Sequence, residues 1–108
     1  LVGLVAVEMF VTPDGDVIVN EMAPRPHNSG HWTLDACQTD QFTQLVRAIC
    51  GLPLADPLRH SNAVMTNFLG DEIENLDRFH SDPRNHVYVY GKQSAHPGRK
   101  MGHVTKLS

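Results

Sequence analysis

The tripeptide Pro13-Asp14-Gly15 lies between two apolar runs, Val7-Glu8-Met9-Phe10-Val11 and Val17-Ile18-Val19-Asn20-Glu21. Each turn residue has a mechanical reason to be there: proline presets φ, aspartate closes the turn with its side chain, and glycine supplies a positive φ. The chain therefore doubles back, and strands over about residues 3–11 and 16–22 pair antiparallel. Glu8 and Glu21 approach each other at the strand ends away from the turn. Register decides whether they share a face, because side chains alternate along a strand. A four-residue loop, 12–15 or 13–16, gives paired residue numbers an odd sum and puts both carboxylates on one face. A loop of odd length would separate them. The four-residue loop is the expectation. Like charges opposed in a bare sheet are destabilising, so this register calls for a cation between the acids, and a divalent metal is the economical one.

Residues 23–33 form no regular element, since Pro24 and Pro26 bracket Arg25 and Asn28-Ser29-Gly30 follows at once. The prolines hold this segment extended, which suits presentation of side chains to a ligand. A helical turn over 34–37 precedes a helix over 40–50, with Thr39 or Asp40 as N-cap. Phe42, Leu45, Val46 and Ile49 make one apolar stripe for core packing, and Gly51 and Pro53 stop the helix. Residues 54–62 read as a connector to a second lobe. There a strand over 63–69, a short helix or turn over 71–79, and strands over 86–90 and 99–107 are expected. The fold class is α+β, in two parts divided as 1–53 and 54–108.

A net charge of −3 lacks the basic face that broad nucleic-acid binding needs, yet leaves room for a small anion gripped by a local Lys/Arg pair. No segment resembles a signal peptide or an apolar run long enough to span a bilayer, so no membrane partner and a cytoplasmic location are expected. Cys37 and Cys50 lack a CxxC context and read as reduced thiols buried against a helix. The histidines at 60, 80, 86, 96 and 103 fall in no metal-ligand spacing, which argues against zinc. The chain begins inside a strand without an initiator Met, as the C-terminal piece of a longer protein would, so a site here is expected to be only part of one.

The run Asn20-Glu21-Met22-Ala23-Pro24-Arg25-Pro26-His27-Asn28-Ser29-Gly30-His31-Trp32-Thr33 closely resembles the signature of the 5-(carboxyamino)imidazole ribonucleotide synthases, ATP-grasp enzymes of de novo purine biosynthesis. Arg47-Ala48-Ile49-Cys50-Gly51-Leu52-Pro53 agrees with it. So does the closing stretch, Tyr90-Gly91-Lys92 followed by Pro97-Gly98-Arg99-Lys100-Met101-Gly102-His103-Val104. The likeness covers essentially the whole chain and is weakest over about 71–85. It implies the last part of an ATP-grasp domain, here an antiparallel hairpin plus helix, followed by a small β-rich C-terminal domain.

The resemblance also implies roles. Glu8 and Glu21 look like the Mg²⁺-binding pair, with ATP phosphates supplying further oxygen ligands. Asn20, with Glu21, resembles the position facing nucleotide. The implied chemistry phosphorylates bicarbonate with ATP, and the amine of 5-aminoimidazole ribonucleotide then captures the carboxyl group. Arg25 and His27 resemble the catalytic pair, Arg25 offering a planar fork to an oxyanion and His27 orienting bicarbonate or handling protons. Asn28 and Ser29 are candidate donors to the same ligand, whereas His31 reads as a structural hydrogen-bonding residue. Lys92 and Arg99 resemble the grip on the substrate's 5′-phosphate, with Lys100 adding charge nearby. A homodimer is implied for the full-length enzyme, and no activity for this length alone. Two other readings stand beside it. One is a non-catalytic β-rich binding or assembly module; the other is a different ATP-grasp ligase, such as formate-dependent glycinamide ribonucleotide transformylase.

Overall fold

The computed structural model describes residues 2–108; Leu1, with which the expected first part begins, lies outside them. Strands β1 (Ala6–Val11) and β2 (Val17–Ala23) form an antiparallel pair. Between them the Gly15 N–H donates to the Thr12 carbonyl and the Thr12 N–H to the Asp16 carbonyl, both at 2.9 Å, with Gly15 at φ +89°. This is a three-residue loop, a type I turn closed by a left-handed glycine. The expected four-residue loop is therefore corrected: Thr12 also accepts the Asp16 N–H on its hydroxyl at 3.0 Å, which draws that pair together and shortens the loop.

Val11 opposes Val17, a register that would leave the two glutamates on opposite faces. A β-bulge intervenes. Met9 opposes Val19 but Glu8 opposes Glu21, so Asn20 is the extra residue that returns both acids to one face.

The Pro-rich segment after β2 contains one 3-10 turn, Asn28–Gly30, before helix α1 (Thr33–Ala36). Helix α2 (Gln41–Ile49) starts at Asp40, whose Oδ1 accepts the N–H groups of Phe42 and Thr43 at 2.8 and 3.0 Å. Burial works against ionisation of that carboxyl, but the bonds from Thr43 and Phe42 prevail and hold it below the usual carboxylate range. The apolar stripe of α2 does not reach a core within this chain. Phe42, Val46 and Ile49 are 39%, 53% and 60% exposed, because among the described residues no helix or strand covers that face. Cys50 is likewise exposed rather than buried, since it caps the open end of α2, and Cys37 is half-buried.

The core lies in the second sheet, ordered β3 (Ala63–Leu69), β5 (Lys100–Leu107), β4 (Asn85–Val89), all antiparallel. Central β5 is buried continuously from Met101 to Thr105, as a strand covered on both faces must be. On one face Phe68 packs on Phe79 of helix α3 (Asp77–His80), ring centroids 5.0 Å apart. Gly102 lies on this side, where a Cβ would strike the Tyr88 carbonyl and the Ile73 side chain. The other face carries His103, Thr105, Tyr88 and Asn67 toward α1 and the Pro-rich segment.

Across that seam Asn28 and Asn67 exchange side-chain amide bonds at 2.8 and 3.0 Å, and Tyr88 donates its hydroxyl to Asp35 at 2.8 Å. Burial, with that bond, pushes the Tyr88 hydroxyl up to about 12. His31 stacks on His103 at 5.1 Å, and Tyr90 OH meets His103 Nδ1 at 2.6 Å. Among the described residues no helix is long and apolar enough to cross a membrane.

Burial lowers the pKa of both His103 and His31, and neighbouring positive charge adds to it: His31 beside His103, where Asp35 opposes the shift, and Lys100 and His27 beside His31. The unfolded chain then binds protons that the folded state refuses below the ordinary value of 6.5. Stability should fall as pH drops through that window and level off above it. In the full-length protein the urea midpoint should be lower at pH 5 than at pH 7, and His103→Gln should flatten the difference.

Candidate functional site

The bulge sets the first part of the site. Glu8 and Glu21 project from the same face, and Asn20 turns its amide onto Glu8, donating to Oε2 at 2.8 Å. From the stiff segment His27 reaches back to Glu21, with Nε2 2.8 Å from Oε1. The Ser29 N–H points at His27 Nδ1 from 3.3 Å, so Nδ1 accepts and the ring proton sits on Nε2, donating to Glu21. One ligand atom from each of Glu8, Glu21 and His27 lies within 4.8 Å of the others. With its proton on Nε2, His27 orients a carboxylate rather than acting as a ligand. The two carboxylates are what a hard divalent ion takes.

Beside Glu21 opens a pocket of about 380 Å³ that both halves of the chain line. Arg25, His27, Asn28 and His31 come from the Pro-rich segment, and Tyr90, Lys92 and Lys100 from the second sheet and its loop. Arg25 spends one arm on the Pro26 carbonyl at 3.0 Å, and among the described residues its other donors bond to nothing. Lys92 donates to the Lys100 carbonyl and stands 5.6 Å from the centre of the Tyr90 ring. Burial raises the Tyr90 hydroxyl pKa, keeping it in the protonated, donating form. Three cations against one carboxylate make this an anion pocket.

Six of the seven sequence-assigned residues, Asn20, Glu21, Glu8, Arg25, His27 and Lys92, thus gather around the carboxylate pair and its pocket. Arg99 stands apart: its Nη1 donates to the Ser94 carbonyl at 2.9 Å, bracing the loop instead of lining the pocket. Lys100 takes the wall position. Asn28 is turned to Asn67, and Ser29 to His27 at 2.7 Å.

Three further residues contribute to the site: Asn67, Tyr90 and Gln41. Asn67 carries no local motif, and Tyr90 opens the Tyr90-Gly91-Lys92 stretch without a role assigned to it there; the roles of both depend on long-range packing. Gln41 binds the His27 main chain, and the only available signal was a polar residue at the first position of an otherwise amphipathic helix.

Residues 1–42 match the ATP-grasp domain family, and residues 63–108 match the phosphoribosylaminoimidazole carboxylase C-terminal domain family. The N5-carboxyaminoimidazole ribonucleotide synthase of Bacillus subtilis (strain 168) is 52% identical over 109 residues, which take in 97% of this chain and 28% of that protein. A crystal structure of an N5-carboxyaminoimidazole ribonucleotide synthetase in complex with ADP superposes with a TM-score of 0.92 at 51% identity, over 100% of this chain and 29% of that one.

The chain belongs to the N5-carboxyaminoimidazole ribonucleotide synthase family.

It spans less than a third of the length of the curated relatives it matches. Another member of this synthase family, from Aspergillus clavatus, was solved with ADP and 5-aminoimidazole ribonucleotide; it is 35% identical, with a TM-score of 0.90, over 98% of this chain and 30% of that one. The carboxylate pair falls in the ATP-grasp match and Lys92 and Lys100 in the C-terminal match, so the pocket joins the two family segments.

The Asn28–Asn67 exchange is the polar tie that holds this joint closed on the pocket side. Asn67→Ala would leave the half-buried Asn28 amide without its partner, at a cost of about 1–3 kcal/mol. A lowered urea midpoint in the full-length protein would record it. Asn20→Ala should weaken Mn²⁺ binding about tenfold, as loss of a ligand-orienting bond does, read by titration followed with electron paramagnetic resonance.

Proposed function

We propose that the protein carrying this chain is an ADP-forming carbon–nitrogen ligase. It would carboxylate 5-aminoimidazole ribonucleotide with bicarbonate and ATP, giving 5-(carboxyamino)imidazole ribonucleotide in cytoplasmic purine biosynthesis. The observation that carries this reading is the adjacency of a paired-carboxylate face to a three-cation pocket built across two family segments. In this proposal residues 1–53 supply the end of the ATP-grasp domain and 54–108 the small C-terminal domain. The full-length enzyme would be a homodimer.

Mg²⁺ suits the donor set, two hard oxygen ligands with room for phosphate oxygens, and when bound would neutralise charge developing on the transferred phosphoryl group. Glu8 and Glu21 would hold it on the shared face, and Asn20, which locks the Glu8 carboxylate, would face the nucleotide. His27 commits its Nε2 proton to Glu21, which keeps that carboxylate turned toward the pocket. The remaining donors of Arg25 fit the oxygens of bicarbonate, a planar anion that a guanidinium fork matches. Both reacting partners are anionic, so positive charge must bring them together. Lys92 and Lys100 supply it for the 5′-phosphate, with Arg99 bracing the loop that sets the backbone next to Lys100.

Kinetics on the full-length protein test this. Glu8→Ala should abolish ATP-dependent turnover, and near-normal turnover at saturating Mg²⁺ would sink the metal assignment. Lys100→Ala should raise KM for the ribonucleotide about tenfold with little change in kcat, the pattern of lost uniform binding. An unchanged KM would remove Lys100 from the phosphate grip. ADP release driven equally well by a different ribonucleotide would favour another ATP-grasp ligase.

A further inference from the structure

Gln41 is neither a candidate metal ligand nor a wall of the pocket, yet its whole amide is spent on the loop that carries His27. Its Oε1 accepts the His27 N–H at 3.0 Å, and its Nε2 donates to the His27 carbonyl at 2.9 Å. The second hydrogen of Nε2 is directed to His31 Nδ1, also at 2.9 Å. A side-chain amide bonded to both the N–H and the C=O of one residue does what a neighbouring strand does. It fixes His27 in extended backbone, φ −122° and ψ 149°, with no strand present to do so.

The clasp is itself held from behind. The Gln41 N–H donates to Thr33 Oγ1 at 3.1 Å, and that hydroxyl donates to the Gly30 carbonyl at 2.6 Å. Gly30 leaves space for the amide: a Cβ there would lie 2.5 Å from Gln41 Oε1. Glutamine is chemically specific in this place. Glutamate would turn an anionic oxygen toward the His27 carbonyl, methionine offers neither donor nor acceptor, and asparagine is one methylene short.

We propose that Gln41 is a positioning residue: by clasping the His27 main chain it aims the His27 ring at Glu21, and so sets the Glu21 carboxylate for the divalent ion. The chain of contacts runs from the first residue of α2 through His27 to the face shared with Glu8. The proposal rests on the reading of Glu8 and Glu21 as the metal-holding pair.

The test uses the full-length protein and Mn²⁺ alone, without nucleotide, followed by electron paramagnetic resonance. Gln41→Met removes the amide at similar length, and Gly30→Ala displaces the amide without altering it. Each should weaken Mn²⁺ binding about tenfold, the scale of a lost ligand-orienting contact. In turnover assays the Mg²⁺ activation constant should rise in parallel, with the loss in that constant rather than in kcat. Glu21→Gln is the control for the underlying reading. If it leaves Mn²⁺ affinity intact, the metal pair is misassigned and the proposal falls with it. If Glu21→Gln weakens binding while both Gln41→Met and Gly30→Ala bind as the parent does, the metal reading stands and the positioning role is overturned. A loss confined to kcat in both variants overturns it equally. Should Gln41→Met fail to fold, Gly30→Ala and the isosteric Gln41→Glu carry the test, each expected to show the same weakening.

Discussion

Two carboxylates facing each other across an antiparallel pair repel, and the elements around β1 and β2 are arranged to make that tolerable. At the separation of the Glu8–Glu21–His27 cluster, within 4.8 Å, two full charges oppose each other by about 1 kcal/mol in water and about 3 kcal/mol where the protein lowers the effective dielectric to ~20. Hairpins of this size have little stability to spare. Asn20 and His27 each donate one hydrogen bond to one of the acids, which offsets part of the repulsion and leaves the other lone pairs pointing into shared space. The remaining deficit is what a bound cation would cancel.

The pocket depends on the seam between the two halves. Among the described residues no strand crosses it. The halves meet through side-chain bonds, Asn28 with Asn67 and Asp35 with Tyr88, through stacked rings at His31 and His103, and through an isolated bridge between Cys37 and Arg59. Bonds of this kind fix relative orientation more than they add stability. That suits a place where cations from one half must stand opposite carboxylates from the other. The sheet behind them has its packed core at Phe68, Met101 and Val104, with Lys100 at the first residue of its central strand and Lys92 in the loop before it.

Much of this was legible in the residues. Turn chemistry announced the hairpin, Asp40 announced α2, and Val/Tyr alternation announced β4. The path to the shared acid face was not legible. The Pro-Asp-Gly turn fits loops of more than one length, and the choice fell to a Thr12–Asp16 contact and a bulge at Asn20, neither of which leaves a periodic trace. The stripe on α2 was read correctly as apolar and incorrectly as covered, because periodicity reports which face is greasy and not what lies against it. Arg99 lies just before β5 and Lys100 is its first residue, so the side-chain alternation of a regular strand does not decide which of the two lines the pocket.

The extra residue in β2 gives the hairpin a one-sided allowance for change in length. A chain one residue shorter between the turn and Glu21 would flatten the kink into plain pleat and still leave Glu8 and Glu21 face to face. A chain one residue longer would need a second irregularity to do the same. Deletions in that stretch should therefore be gentler on the acid pair than insertions, and the casualty of the shorter form would be the amide that Asn20 lends to Glu8.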